Sequence, residues 1–523
     1  MVCVSRSVQF ATVLVAATTL LSGCVPILAA NPRYASNSGQ HGGNGPAPTT
    51  APPAGPPQIA APKNELAWKE CTAQVFGTAA LTAPPGVTLD CATYDADLDP
   101  LKGATGTLSI GVVRAKSAQT PADAGPLVIT TGTDLPTSQQ LPVWLSQSGA
   151  DVLKSRPIVA VDRRGMGRSS PVDCRDLFDR QEMRDQTQFE SGDDQVANLG
   201  AITQTATTSC TDTIAPGDSA YDNAHAAEDL ERLRSIWDVP ALALLGIGNG
   251  AQVALAYAGS HPEKVARLAL DSPVPHGIGA ELAAEQQVRG QQAALDAFAA
   301  QCAATNCPLG PDPKAAVDGL LNDARNGRAP GGISVAALVN GLATALGFPD
   351  GDRTASTAQL ARTLAAARSG DGGPLTALVN QAESVRETDG QFINHCSDAL
   401  NRPTPDRVRE LVVAWAKTYP QFGAVGALNL VKCLNWPSGS PPQDPKNLKV
   451  DALLMGVQND PIVGNEGVAA TAATIINAGS ASKRVIWQGI GHGASVYSPC
   501  ALPPLLGYID SGKAPATDTY CPA

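Results

Sequence analysis

Ala241-Leu242-Ala243-Leu244-Leu245-Gly246-Ile247-Gly248-Asn249-Gly250-Ala251 is the stretch whose reading decides the fold. It opens as an unbroken apolar run through Gly246, which is how a strand covered on both faces reads. Glycine then recurs at 246, 248 and 250 and sets a sharp turn. Ala251 to Ser260 carries small side chains and predicts a helix packed close behind the strand. Val265 to Leu270 is the next apolar run. Strand, Gly-rich turn, helix and strand in that order predict a right-handed crossover unit.

Working outward, Thr107 to Arg114 alternates like a strand. Leu127 to Thr131 and Pro157 to Asp162 are short β-branched runs that end in turn residues, as buried strands of a mostly parallel sheet do. His225 to Trp237 has helical spacing, with Ala226, Leu230, Leu233 and Ile236 on one side and His225 on the polar face. Strand character returns at Asp451 to Val457 and Lys483 to Trp487. Ahead of these, residues 280–445 are Ala-rich and helical with Gly/Pro breaks, and Thr404-Pro405 makes a good helix start. The expectation is an α/β protein whose core is split in sequence, 66–279 and 446–523, with a helical cap inserted at 280–445.

Length and composition agree with that division. The chain has 523 residues, enough for two domains or one large α/β unit with an insertion. A hydrophobic content of 43% supports a sizeable core and excludes a wholly disordered chain. With a net charge of −11 and 4% aromatic residues, nothing marks a nucleic-acid binder.

The first residues read as a targeting segment. Arg6 precedes an apolar run from Val8 to Leu21, shorter than the roughly 20 residues a spanning helix needs. Leu21-Ser22-Gly23-Cys24 resembles a bacterial lipobox, which implies a signal peptide over 1–23 and a lipid on Cys24. Residues 24–65 are rich in Ala, Pro, Gly and Thr and read as a tether. The expectation is an exported protein held at the outer face of the cytoplasmic membrane by its N-terminal lipid alone, with the oligomeric state left open.

Twelve cysteines fit that compartment. Setting aside Cys3 and Cys24 leaves ten. Spacing suggests neighbours, Cys71–Cys91, Cys174–Cys210, Cys302–Cys307, Cys396–Cys433 and Cys500–Cys521, although sequence does not fix connectivity. Zinc is the competing reading, but no pair has C-x-x-C spacing and the histidines are scattered, so no metal is expected.

Several motifs together resemble the secreted tripeptidyl-aminopeptidase-like α/β-hydrolases. Asp162-Arg163-Arg164-Gly165-Met166-Gly167-Arg168-Ser169 looks like their D-x-R-G-x-G-x-S turn. Gly246-Ile247-Gly248-Asn249-Gly250 stands where the nucleophile elbow belongs. Asn459-Asp460-Pro461 and Gly491-His492-Gly493 follow later strands, and Cys396-Ser397-Asp398, Cys433-x-x-Trp436-Pro437 and Ser498-Pro499-Cys500 add to the likeness. It covers roughly Leu66 to Cys521. It implies an α/β-hydrolase fold with a mostly parallel sheet, flanking helices and a cap. It also implies serine-peptidase-like chemistry on short peptides or small esters, and no cofactor.

One departure matters more than the likeness. The elbow of the family reads G-x-S-x-G, and here the serine position holds Gly248, so no acyl-enzyme can form there. Asp460 and His492 keep the other two triad positions. Backbone N–H groups of Thr133 and Asn249 are the candidate oxyanion donors, but the loop reads Thr131-Gly132-Thr133-Asp134, and a carboxylate at Asp134 would repel an oxyanion. Ser138 and Ser272 are weak candidates for a substitute nucleophile, and His395 reads as structural. Three readings stay open. The chain is a pseudohydrolase that binds a peptide, ester or lipid-like ligand, a weakened hydrolase using His-activated water or a substitute nucleophile, or an envelope protein that binds partners by its surface.

Overall fold

The computed structural model describes residues 56–349, 352–437 and 439–523. The signal segment, Cys24 and the tether as far as residue 55 lie outside the described residues. The strands are β1 Lys69–Glu70, β2 Val87–Asp97, β3 Thr107–Ser117, β4 Leu127–Thr130, β5 Ile158–Val161, β6 Leu242–Ile247, β7 Val265–Asp271, β8 Ala452–Asn459, β9 Ser482–Ile490 and β10 Thr519–Cys521. They form one sheet in the order β1-β2-β3-β5-β4-β6-β7-β8-β9-β10. Pairing is antiparallel from β1 through β3 to β5 and parallel from β5 onward to β10. Because β4 lies between β5 and β6, the loops leaving β4 and β6 open a crevice at the carboxyl end of the sheet, the place where such sheets bind ligands.

Alternation along the central strands explains their apolar runs. Leu127, Ile129, Ala243 and Leu245 face a core with Trp144, Trp487 and Tyr508. Val128, Leu242 and Leu244 face the helices Asn223–Trp237 and Gly250–Ser260, with Trp237 and Tyr257 between. Both faces are covered, so neither needs polar residues. The longest strand missing from the sequence reading is β2: its Thr88, Asp95 and Asp97 point outward and break the apolar signal. β1 and β10 are too short to register.

The cap differs from the expected insertion. A separate apolar core joins Phe298, Leu338, Phe392 and Phe422 to Met183, Leu199, Ala206 and Cys210. The helices Leu177–Asp185 and Gln195–Ile214, expected within the first part of the core domain, therefore belong to the cap. Their polar composition hid this, since Gln195–Ile214 buries a narrow stripe and is otherwise rich in Thr. The tether also ends sooner than residue 65. Pro57 O accepts from Arg267 Nη1 at 2.8 Å and the Lys63 N–H donates to Trp237 O at 2.9 Å, so residues from Pro56 lie against the core. His225 is not on a polar face either. It is buried, with Nδ1 2.7 Å from Asp222 Oδ1 and Nε2 3.1 Å from Asp99 Oδ1.

All five cysteine pairs suggested by spacing form disulfides. Among the described residues no helix is long and apolar enough to cross a membrane.

Candidate active site

Gly248 follows β6 directly, with φ +59°, and its N–H donates to Asp271 O at 2.8 Å. The helix Gly250–Ser260 starts two residues later. A side chain in this left-handed conformation costs of order 1–3 kcal/mol, and glycine avoids most of that. The turn thus has the strand-to-helix geometry of a nucleophile elbow, with a glycine at its tip.

Asp460 follows β8, and its Oδ1 accepts from the N–H groups of Ile462 at 2.9 Å and Val463 at 3.2 Å. His492 follows β9. Its N–H donates to Gly347 O of the cap at 2.8 Å, and its Nδ1 lies 2.9 Å from Asp460 Oδ2. Asp271 holds the segment just beyond, accepting from the N–H groups of Ala494 and Ser495 at 2.9 and 2.6 Å. The cap presses against this corner at Gly290, where a Cβ would come within 2.8 Å of Gly464 Cα. Gly248, Asp460 and His492 are brought together as the sequence reading expects.

Asp134 completes the site in an unexpected way. Its Oδ2 accepts from the Asn249 N–H at 2.7 Å and lies 3.2 Å from His492 Nε2. Its Oδ1 accepts from Asn249 Nδ2 at 2.5 Å. A Cβ built on Gly248 would overlap both Asp134 Oδ2 and His492 Nε2. The carboxylate therefore fills the space of a serine side chain and takes the backbone donor expected to serve an oxyanion. Gln391 of the cap fixes the loop, donating from Nε2 to Thr133 O and Asp134 O at 3.2 Å each. Asp162 fixes its far end, accepting from the Ser138 N–H at 2.8 Å and Oγ at 2.7 Å.

The electrostatics follow. Asp134, His492 and Asp460 are 4%, 1% and 0% exposed. Burial opposes charge on His492, but the Asp460 carboxylate, then the hydrogen bond and charge of Asp134, override it and push its pKa up to about 10. Burial likewise works against the Asp134 anion, yet the bond and charge of His492 hold its pKa below the usual value. Near neutral pH the ring is an imidazolium donating from both nitrogens. It has no lone pair with which to act as a base.

This sets a pH dependence. His492 has a raised folded pKa, so its stabilisation is complete below the unfolded value of about 6.5 and is lost as pH rises through about 10. Asp134, with a lowered folded pKa, acts in reverse and loses its share as pH falls below its ordinary value of about 4. Melting temperature is expected to fall steadily from pH 7 to 10, and the slope to flatten in His492→Gln. An equal slope in both proteins would disprove the assignment.

Ser138 Oγ is spent on Asp162, and Ser272 Oγ accepts from the Gly493 N–H at 3.3 Å, so both hydroxyls support the scaffold. Thr133 and Asn249 line a cavity of about 170 Å³ beneath the cap. His395 stands between it and a second chamber of about 130 Å³. It keeps much of its surface free although it lies deep, and enclosure holds its pKa below the ordinary value. Gln391, Arg386 and Phe348, whose ring meets His492 edge-on at 5.4 Å, escaped the sequence reading because nothing local marks a cap residue that folds onto a distant loop. No group of metal-ligating side chains occurs among the described residues.

Strand order, crossover and elbow together define the α/β-hydrolase fold. Residues 419–521 match the family model described as TAP-like protein. The serine protease Hip1 of Mycobacterium tuberculosis is 30% identical over 164 residues, and its Mycobacterium bovis counterpart matches equally. That alignment spans 31% of this chain and 32% of the relative, so the chain spans about a third of the length of the curated relatives it matches. Among solved structures, esterase E22 is similar at a TM-score of 0.40 and 12% identity, over 80% of this chain and 98% of that one. A hydrolase of Pseudomonas aeruginosa is similar at 0.35 and 14%, over 80% and 97%. By strand order the chain has an α/β-hydrolase fold, and its C-terminal part is similar to the TAP-like family.

Proposed function

We propose that this chain is an exported, lipid-anchored pseudohydrolase that holds a peptide or acyl ligand in the cavity beneath its cap and does not cleave it. One observation carries the reading: Asp134 fills the space beside Gly248, consumes the Asn249 N–H and, with Asp460, holds His492 between two carboxylates, one at each ring nitrogen. Acyl transfer needs a nucleophile, a base and a vacant oxyanion site, and each is removed or spent. The same clamp disfavours water activation, because a ring with pKa about 10 does not take a proton at neutral pH. The lipid anchor rests on the Leu21-Ser22-Gly23-Cys24 pattern, and export on that pattern with the five disulfides.

The test is turnover of short peptide and ester reporters by the purified chain, with His492→Ala beside it. No turnover above buffer is expected from either protein. Turnover that vanishes in His492→Ala would show a working base and overturn the reading.

A further inference from the structure

The charged side chains around the cavity are unequally satisfied. Arg175 Nε meets Asp389 at 2.7 Å, Arg184 Nη2 meets Asp185 at 2.7 Å, and Lys432 Nζ meets Glu387 at 3.3 Å. Arg386 lines the same cavity and makes no hydrogen bond or ion pair among the described residues. Its Nε is buried without a partner, and its guanidinium lies 5.8 Å over the Phe348 ring. The nearby carboxylates are already engaged, since Asp134 and Asp460 both serve His492. That group carries one net negative charge, which offsets Arg386 at a distance without giving it a bond. An enclosed guanidinium without an acceptor is costly, and a carboxylate is the group whose geometry suits it.

The neighbouring walls define the rest of the ligand. Gln291 and Asn340 line the chamber of Arg386 and add side-chain amides to its wall. The second chamber, reached past His395, is walled by Val274, Ile278 and Leu430. A polar chamber with one guanidinium that lacks a hydrogen-bond acceptor thus adjoins a chamber that mixes this apolar wall with polar residues such as Gln252, Asp398 and Arg402.

We propose that Arg386 binds the carboxylate of an amphiphilic ligand whose apolar part runs into the second chamber. The inference rests on the pseudohydrolase reading, since it assumes a ligand that is held and not cleaved. Two sources present this chemistry, a fatty acid and the C-terminus of an apolar peptide.

Isothermal titration of the whole chain at pH 7 separates them. The probes are octanoate against octanamide, and N-acetyl-Leu-Leu against its C-terminal amide. At least one carboxylate is expected to bind about tenfold or more tighter than its amide, and which one identifies the source. Arg386→Gln should abolish the preference, and Arg386→Lys should keep most of it, with melting curves confirming that both variants fold. Equal binding of acid and amide in both pairs, or a preference that survives Arg386→Gln, would overturn the proposal. Turnover of octanoate esters is followed separately. Cleavage alongside an intact acid preference would sink the pseudohydrolase reading and leave the anion site standing.

Discussion

Gly248→Ser combined with Asp134→Gly is expected to create hydrolytic activity, raising turnover of a small ester by about a hundredfold to a thousandfold over the parent chain. The serine needs room that Asp134 Oδ2 now fills, so Gly248→Ser alone should remain inactive and lose stability. The left-handed backbone at 248 adds strain of order 1–3 kcal/mol, which ordinary elbows bear for function. Removing the 134 side chain frees the Asn249 N–H and His492 Nε2 together. With one carboxylate left, the ring returns toward an ordinary pKa and can accept the serine proton. Neither change should suffice alone, and that interdependence is the signature. If the folded double variant gained nothing while Gly248→Ser alone became active, Asp134 would not be what blocks the site.

His492→Ala is expected to destabilise the fold by about 3–5 kcal/mol in denaturant unfolding near pH 7, because it strands two buried carboxylates that face one cation. Part of that loss should be recovered in His492→Ala with Asp134→Ala, since removing both partners leaves no unpaired charge on that side. Strictly additive losses would mean that the 3.2 Å contact of Asp134 with His492 contributes nothing.

These expectations show where sequence and fold carry different information. The central strands were legible because both faces are buried and the apolar runs are unbroken, as in Leu242–Ile247 and Val265–Asp271. Gly248 and Asp460 were legible because each follows such a strand directly, and His492 because its Gly-His-Gly comes just after β9. β2 was not, because its outward residues are polar, nor was the first piece of the cap, whose helices bury only narrow stripes. In sequence Asp134 reads only as awkward for an oxyanion. That its carboxylate fills the space beside Gly248 depends on how the loops after β4 and β6 meet across the switch point, a distance in space and not in sequence. Arg386 and Gln391 were invisible for the same reason.

The most direct measurement is the protonation state of His492 in the whole chain, from the ring-nitrogen resonances of histidine-labelled protein, assigned by the signals lost in His492→Gln. Two protonated ring nitrogens at pH 7, with no titration until about pH 10, are expected of an imidazolium held between Asp134 and Asp460. A neutral ring at pH 7 that titrates near its ordinary value of about 6.5 would contradict the clamp, and with it the reading of the site as a binding pocket without catalysis.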